Sequence, residues 1–152
     1  KEYSHLYGAV PLSDGEIQHY IDTYFNFVHP DFIPLIVDKN NNLAAFGVAI
    51  PSLSKALQDS SGRLFPLGWW RLLRALQNNS RGDLYLVAVA KRYQGQGVNL
   101  VLMDHLCQVF NDRGIKVVES NPELETNRDV QSQWKILDKR QHKRRRCFIN
   151  TL

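Results

Sequence analysis

The sequence predicts an α/β chain built on a mixed sheet with helices packed against it. Three observations carry this expectation. Strand and helix patterns alternate in the second half of the chain, and two apolar segments joined by an Asn-rich turn pair up in the first half. Between them, a near-continuous apolar strand runs into a glycine turn and then an amphipathic helix. The 152 residues, 43% hydrophobic and 22% charged, suit one domain with a real core, read here as residues 1–152 with a helical insertion at 52–81.

The elements follow in order. Residues 3–12 read as a short apolar strand ending at Pro11. Ser13-Asp14-Gly15-Glu16 has capping-box spacing, in which the hydroxyl and the carboxylate three residues on satisfy each other's backbone N–H groups. Ile17, Tyr20, Ile21, Tyr24, Phe25 and Val28 then recur at three and four, a helix that stops before Pro30. Ile33–Val37 and Leu43–Ile50, joined by Asp38-Lys39-Asn40-Asn41-Asn42, read as a hairpin because Asn tolerates positive φ and bonds its own backbone. The insertion holds short helices at Leu53–Gln58 and Trp69–Gln77. Leu84–Ala90 reads as a central strand covered on both faces. Val98–Phe110 is a helix whose stripe is Val98, Leu102, Leu106, Val109 and Phe110, with Gly114 as its stop. Ile115–Glu119 is a strand, Asn127–Leu137 a helix and Arg145–Ile149 a last short strand.

Composition excludes several classes. No apolar run approaches the roughly 18 residues of a membrane span, so no membrane contact is expected. Two cysteines, Cys107 and Cys147, are too few for a disulfide scaffold and suit a reducing, cytoplasmic setting as buried thiols. Five histidines without HxxxH or HExxH spacing predict no metal site. The net charge of +4 is local: residues 135–146 hold seven Lys/Arg against Asp138, and the remainder is slightly acidic. Such a block suits a polyanion or simply a solvated face, and the second reading leaves nucleic acid outside the expected partners. Beginning at Lys1, the chain reads as a piece of something longer, with room for a further N-terminal domain and for a homodimer.

The chemistry concentrates at Leu84–Asn99. Gly95 and Gly97 permit a turn whose backbone N–H groups converge without side-chain obstruction, and the next helix brings its unpaired donors and dipole to the same place. Such a unit binds phosphate. Neither GxxxxGK[ST] nor GxGxxG fits.

Arg92-Tyr93-Gln94-Gly95-Gln96-Gly97 resembles the R/Q-x-x-G-x-G/A signature of the GNAT superfamily of acyl-CoA N-acyltransferases. LYLVAVAKRYQGQG resembles that fold's fourth strand and pyrophosphate loop, and the element order covers nearly the whole chain. LYGAVPLSDGEI, GVAIPSLSKAL and GRLFPLGWWRLLRAL are similar to the C-terminal half of a larger bacterial GNAT-like family. The resemblance implies a GNAT-like fold, with a central, mostly antiparallel sheet flanked by helices. It also implies acyl transfer from acetyl-CoA or another acyl-CoA to a primary amine, on a small molecule or a peptide.

Particular roles follow from the same resemblance. Backbone amides of Gln94, Gly95, Gln96, Gly97, Val98 and Asn99 would hold the diphosphate, with Arg92 near a phosphate. Val87 and Val89 would pair with the pantetheine arm, an amide near Ala88 would polarise the thioester carbonyl, and Asn127 would touch the cofactor arm. Glu119 or Asp83 would take the ammonium proton, each being otherwise a surface or capping carboxylate. The family's usual tyrosine acid is replaced by Trp134, whose indole is no acid at neutral pH. That departure keeps a second reading open, a degenerate domain that binds acyl-CoA or scaffolds a partner. A third is a nucleic-acid-binding regulator acting through residues 135–146. The apolar insertion, with Leu64, Phe65, Leu67, Trp69 and Trp70, suits a lid or acyl pocket, or plain packing.

Overall fold

The computed structural model describes residues 12–22, 28–146 and 148, and the chain divides into two compact units, residues 1–121 and 122–152. All but the last residue of the strand expected at residues 3–12 and the helix's apolar positions at Tyr24 and Phe25 lie outside the described residues, as does Cys147.

The first unit opens with helix α1, Asp14–Tyr20. Its start is the capping box: the Ser13 amide donates to Glu16 Oε2 at 2.8 Å and the Glu16 amide donates back to Ser13 Oγ at 3.4 Å. A 3-10 turn at Pro30–Phe32 leads into β1, Leu35–Val37, which pairs antiparallel with β2, Leu43–Pro51. The turn between them holds Asn41 at φ 62, the positive φ that Asn tolerates. The insertion contains α2, Ser54–Asp59, and α3, Gly68–Gln77. Strand β3, Arg81–Val89, pairs antiparallel with β2. Helix α4, Val98–Asp112, then crosses over to β4, Val117–Ser120, which lies parallel to β3. The four strands stand in the order β1-β2-β3-β4, a mixed, mostly antiparallel sheet flanked by helices.

Helix α4 holds this unit together. It packs against β2 and β3 and buries Leu102 and Leu106 completely, with Met103, Val109 and Phe110 beside them. Phe32 joins that core with its ring 6.2 Å from Phe110. The close approach explains Gly47 in β2, where a Cβ would sit 3.3 Å from Leu106 Cδ1. Helix α4 ends at Gly114, φ 70, as its stop signal predicts.

Two expectations are corrected. Strand β3 is not covered throughout on both faces: Gly82, Leu84 and Ala88 are buried, but Tyr85 is exposed. Its neighbour β4 is short and exposed, so cover on that side ends early. The strand expected at Arg145–Ile149 is absent among the described residues, where 138–146 and 148 carry no regular structure.

In the second unit, α5 spans Arg128–Gln133 and a 3-10 turn follows at Trp134–Ile136. Asn127 caps α5, its Oδ1 accepting from the Val130 amide at 3.4 Å. Glu125 pairs with Arg144 at 2.8 Å and lies 3.8 Å from Arg146, so part of the basic segment has an internal counter-anion.

Candidate functional site

The site in the first unit follows strand β3 from its start to the turn beyond its end. At the start, β3 and β4 pair through four levels, and Asp83 lies directly opposite Glu119. Residues in register on neighbouring parallel strands point to the same face, about 4.8 Å apart at the backbone. The two candidate acids, 36 positions apart in sequence, are therefore side by side. The ladder ends one level later, at Leu84 and Ser120.

Beyond it β3 runs on to Val89 after β4 has ended, a fork in the strand pair whose base Asn121 ties. Its amide donates to the Leu84 carbonyl at 3.1 Å and its side-chain Nδ2 to the Tyr85 carbonyl, also at 3.1 Å. On the other edge of β3 the β2 register slips between Val48 and Ala49, leaving Tyr85 as the extra residue of a bulge. From Tyr85 to Val89 about 13 Å of β3 extends past the end of the β4 ladder. Sequence reading missed both Asn121 and the bulge, because neither has a local signature.

Ladder alternation assigns the backbone edges of β3. The Ala90 amide donates to the Ala44 carbonyl at 2.8 Å, so Ala88, two residues back, also turns its amide toward β2. Val87 and Val89 consequently present their backbone groups to the opposite edge. The Ala88 amide itself, near which the thioester role is expected, therefore faces β2 and not that opposite edge. Val89 already accepts from Gln94 Nε2 at 3.1 Å.

The turn after β3 is stapled from within. Lys91–Tyr93 form a 3-10 turn, and the Gln94 amide returns to the Lys91 carbonyl at 3.3 Å. Gln94's own N–H is therefore engaged, which corrects its place among the phosphate donors. The Gln96 side chain folds back to the Arg92 carbonyl at 2.7 Å. Gly95 and Gly97 take φ 74 and 79, left-handed values natural to glycine, with open space where a Cβ would stand.

Gly97 is the N-cap of α4 and offers no side chain to the helix's first donors. Among the described residues, the amides of Gly95, Gln96, Gly97, Val98 and Asn99 meet no acceptor within the chain. Gly95 and Gln96 are exposed, and Gly97, Val98 and Asn99 half-buried. Five amides without an acceptor, at the positive end of a fifteen-residue helix, fit a phosphate group. Arg92 stands beside them with its guanidinium 3.5 Å from Asp38 Oδ2 and 4.7 Å over the Tyr93 ring.

The remaining candidates sit elsewhere. Asn127 and Trp134 belong to the second unit, where the Trp134 indole donates to Glu123 Oε1 at 2.7 Å. No group of three His, Cys, Asp or Glu side chains among the described residues could hold a metal ion. No helix among them is long and apolar enough to cross a membrane. Cys107 is half-buried on α4. In the insertion, Leu64, Phe65, Leu67, Trp69, Trp70 and Leu73 are exposed, Phe65 at 81%.

Known proteins share this fold. The Acetyltransferase (GNAT) family pattern matches residues 4–135. Protein YghO of Escherichia coli (strain K12) is 28% identical over 152 residues, covering 96% of this chain and 39% of that protein. The chain therefore spans about two-fifths of the curated relative it matches. A Trypanosoma brucei acetyltransferase superposes with TM-score 0.54 at 18% identity, covering 98% of this chain and 88% of that one. A tetramutant of the BH1408 protein from Bacillus halodurans gives TM-score 0.58 at 11% identity, covering 91% and 75%. An aminoglycoside acetyltransferase from an uncultured soil metagenomic sample gives TM-score 0.50 at 12% identity, covering 97% and 79%. With the family pattern extending from before α1 to the turn after α5, the chain belongs to the GNAT family of acetyltransferases.

Proposed function

We propose that the chain is an acyl-CoA-dependent N-acyltransferase that passes an acyl group, acetyl in the first instance, directly to a primary amine. The observation that carries this reading is the turn at Gly95–Asn99, whose donors are bare and seated on the α4 dipole. When bound, acyl-CoA supplies the activated thioester. The chain does the rest. The turn fixes the diphosphate, the edge of β3 beyond the fork orients the arm, and a β3 amide stabilises charge developing on the thioester oxygen. Glu119, with Asp83 opposite it, stands at the fork to take the proton of the attacking ammonium. Neither cysteine is asked to carry the acyl group.

Calorimetry with acetyl-, succinyl- and long-chain acyl-CoA tests the reading, followed by thiol release across a panel of amines. Micromolar binding with amine-dependent thiol release supports it, and no binding to any of the three overturns it. One observation favours a second reading: the Trp134 indole is bonded to Glu123 and offers no acid. Binding without thiol release from any amine would then make the domain an acyl-CoA sensor.

A further inference from the structure

We infer that Asp38 is a positioning residue for the phosphate-binding turn: from the β1–β2 hairpin it holds Tyr93 and Arg92, and through them the seat formed by Gly95–Asn99. The inference rests on the reading of that turn as the coenzyme A site and adds to it a residue outside the signature. Asp38 Oδ1 accepts from the backbone amides of Asn40 and Asn42, each at 2.8 Å, which fixes the carboxylate in the hairpin turn. Its other oxygen accepts from the Tyr93 hydroxyl at 2.6 Å, across 55 residues of sequence, and lies 3.5 Å from the Arg92 guanidinium. The Asp38 side chain is only 16% exposed, so this contact is sheltered rather than loose on the surface.

The consequence is mechanical as well as electrostatic. Tyr93 closes the 3-10 turn that delivers the chain to Gly95, and its hydroxyl bonds that turn directly to the hairpin. A hydroxyl-to-carboxylate bond is charge-assisted and short, so it orders the turn before any ligand arrives. Arg92, held between the carboxylate and the Tyr93 ring, keeps its charge at the entrance of the turn. The same bonds, that from Tyr93 foremost, hold the Asp38 carboxyl far below the usual carboxylate range and raise the Tyr93 phenol. The pair is thus carboxylate and phenol throughout neutral pH.

The hairpin does not need Tyr93, since the Asp38 amide donates to the Asn42 carbonyl at 2.9 Å and the asparagines complete the turn. Tyr93→Phe therefore cuts the tie alone, and Asp38→Asn removes the charge while keeping an acceptor. Calorimetry with coenzyme A is expected to show Kd raised about tenfold in Tyr93→Phe, about 1.4 kcal/mol. Acetyl-pantetheine, which lacks the diphosphate, should be turned over with unchanged kcat/KM, and kcat at saturating acetyl-CoA should hold. The Tyr93→Phe/Asp38→Asn double variant should lose no more than the worse single one. Equal losses toward coenzyme A and acetyl-pantetheine would mean general disorder and overturn the inference, as would an unchanged coenzyme A Kd in Tyr93→Phe. Failure of the wild-type chain to bind coenzyme A would instead overturn the assignment of the turn, and the role of Asp38 with it.

Discussion

At the scale of single residues, the proposed site rests on two glycines and two acids, each for a different reason. Gly97 holds φ 79 with nothing within 4 Å of the place a Cβ would take, so a substitution meets backbone strain rather than a neighbour. That strain is about 1–2 kcal/mol for a left-handed L-residue, and a β-branched side chain makes it worse. Gly97→Val should therefore leave a folded protein, by circular dichroism, whose calorimetric titration with coenzyme A is flat. Intact binding would show that the turn is not the phosphate seat. Glu119 is different: it sits at the last levels of the β3–β4 ladder, opposite Asp83, and not in the turn. Glu119→Gln should slow amine-dependent thiol release about 100-fold, the scale of a lost general base, while coenzyme A Kd stays put. Wild-type turnover would clear the side chain of that role and pass attention to Asp83. Arg92 shows where residue-level reading stops. Its position in the signature was legible, but its engagement with Asp38 and Tyr93 depends on a contact that no local spacing announces.

Among the elements, those with local causes were readable from sequence and those made by long-range register were not. The capping box before α1, the Asn-rich hairpin and the glycine stop after α4 each follow from side chains within a few positions of one another. The stripe of α4 was legible too, although Met103 was not counted in it and is buried. By contrast, the pairing of Asp83 with Glu119, the bulge at Tyr85 and the fork tied by Asn121 are set by how strands meet in space. A one-residue slip would send each of these side chains to the other face, and no single segment encodes that choice. Helix α4 ties the legible to the illegible, because its first turn presents the donors while its buried side sets the position of β2 and β3. Leu106, fully buried against Gly47, should be its most sensitive point. Leu106→Ala should cost about 3 kcal/mol in urea denaturation, from lost burial plus the cavity left behind. A loss below about 1 kcal/mol would mean that α4 is held from elsewhere.

For the molecule as a whole, Asp38, Asp31 and Glu16, all described residues of the first unit, have pKa values lowered by bonds that the fold creates. Asp38 is lowered chiefly by the Tyr93 hydroxyl, Asp31 by the Arg113 guanidinium at 2.6 Å, and Glu16 by the Ser13 amide. Each bond joins segments or fixes a helix start, so protonation acts on the architecture rather than on one side chain. The sign follows from proton uptake. Unfolded carboxylates bind protons near about pH 4, and these three in the folded chain bind them only at lower pH. Their contribution to stability is therefore complete above about pH 5 and is lost as pH falls from the unfolded values through the folded ones. The formal charge of +4 at neutral pH works in the same direction, because it grows as acids are protonated and the compact state repels itself. The melting temperature should accordingly be level from about pH 8 to about 5 and fall steeply below about 4. Asp38→Asn should melt lower than wild type at about pH 7 yet lose less on acidification, so the gap between the two curves begins to narrow below about pH 4 and is smaller, though not closed, at about pH 3. Curves that stay parallel down to that pH would show that the Asp38 tie contributes nothing to the fold's acid sensitivity.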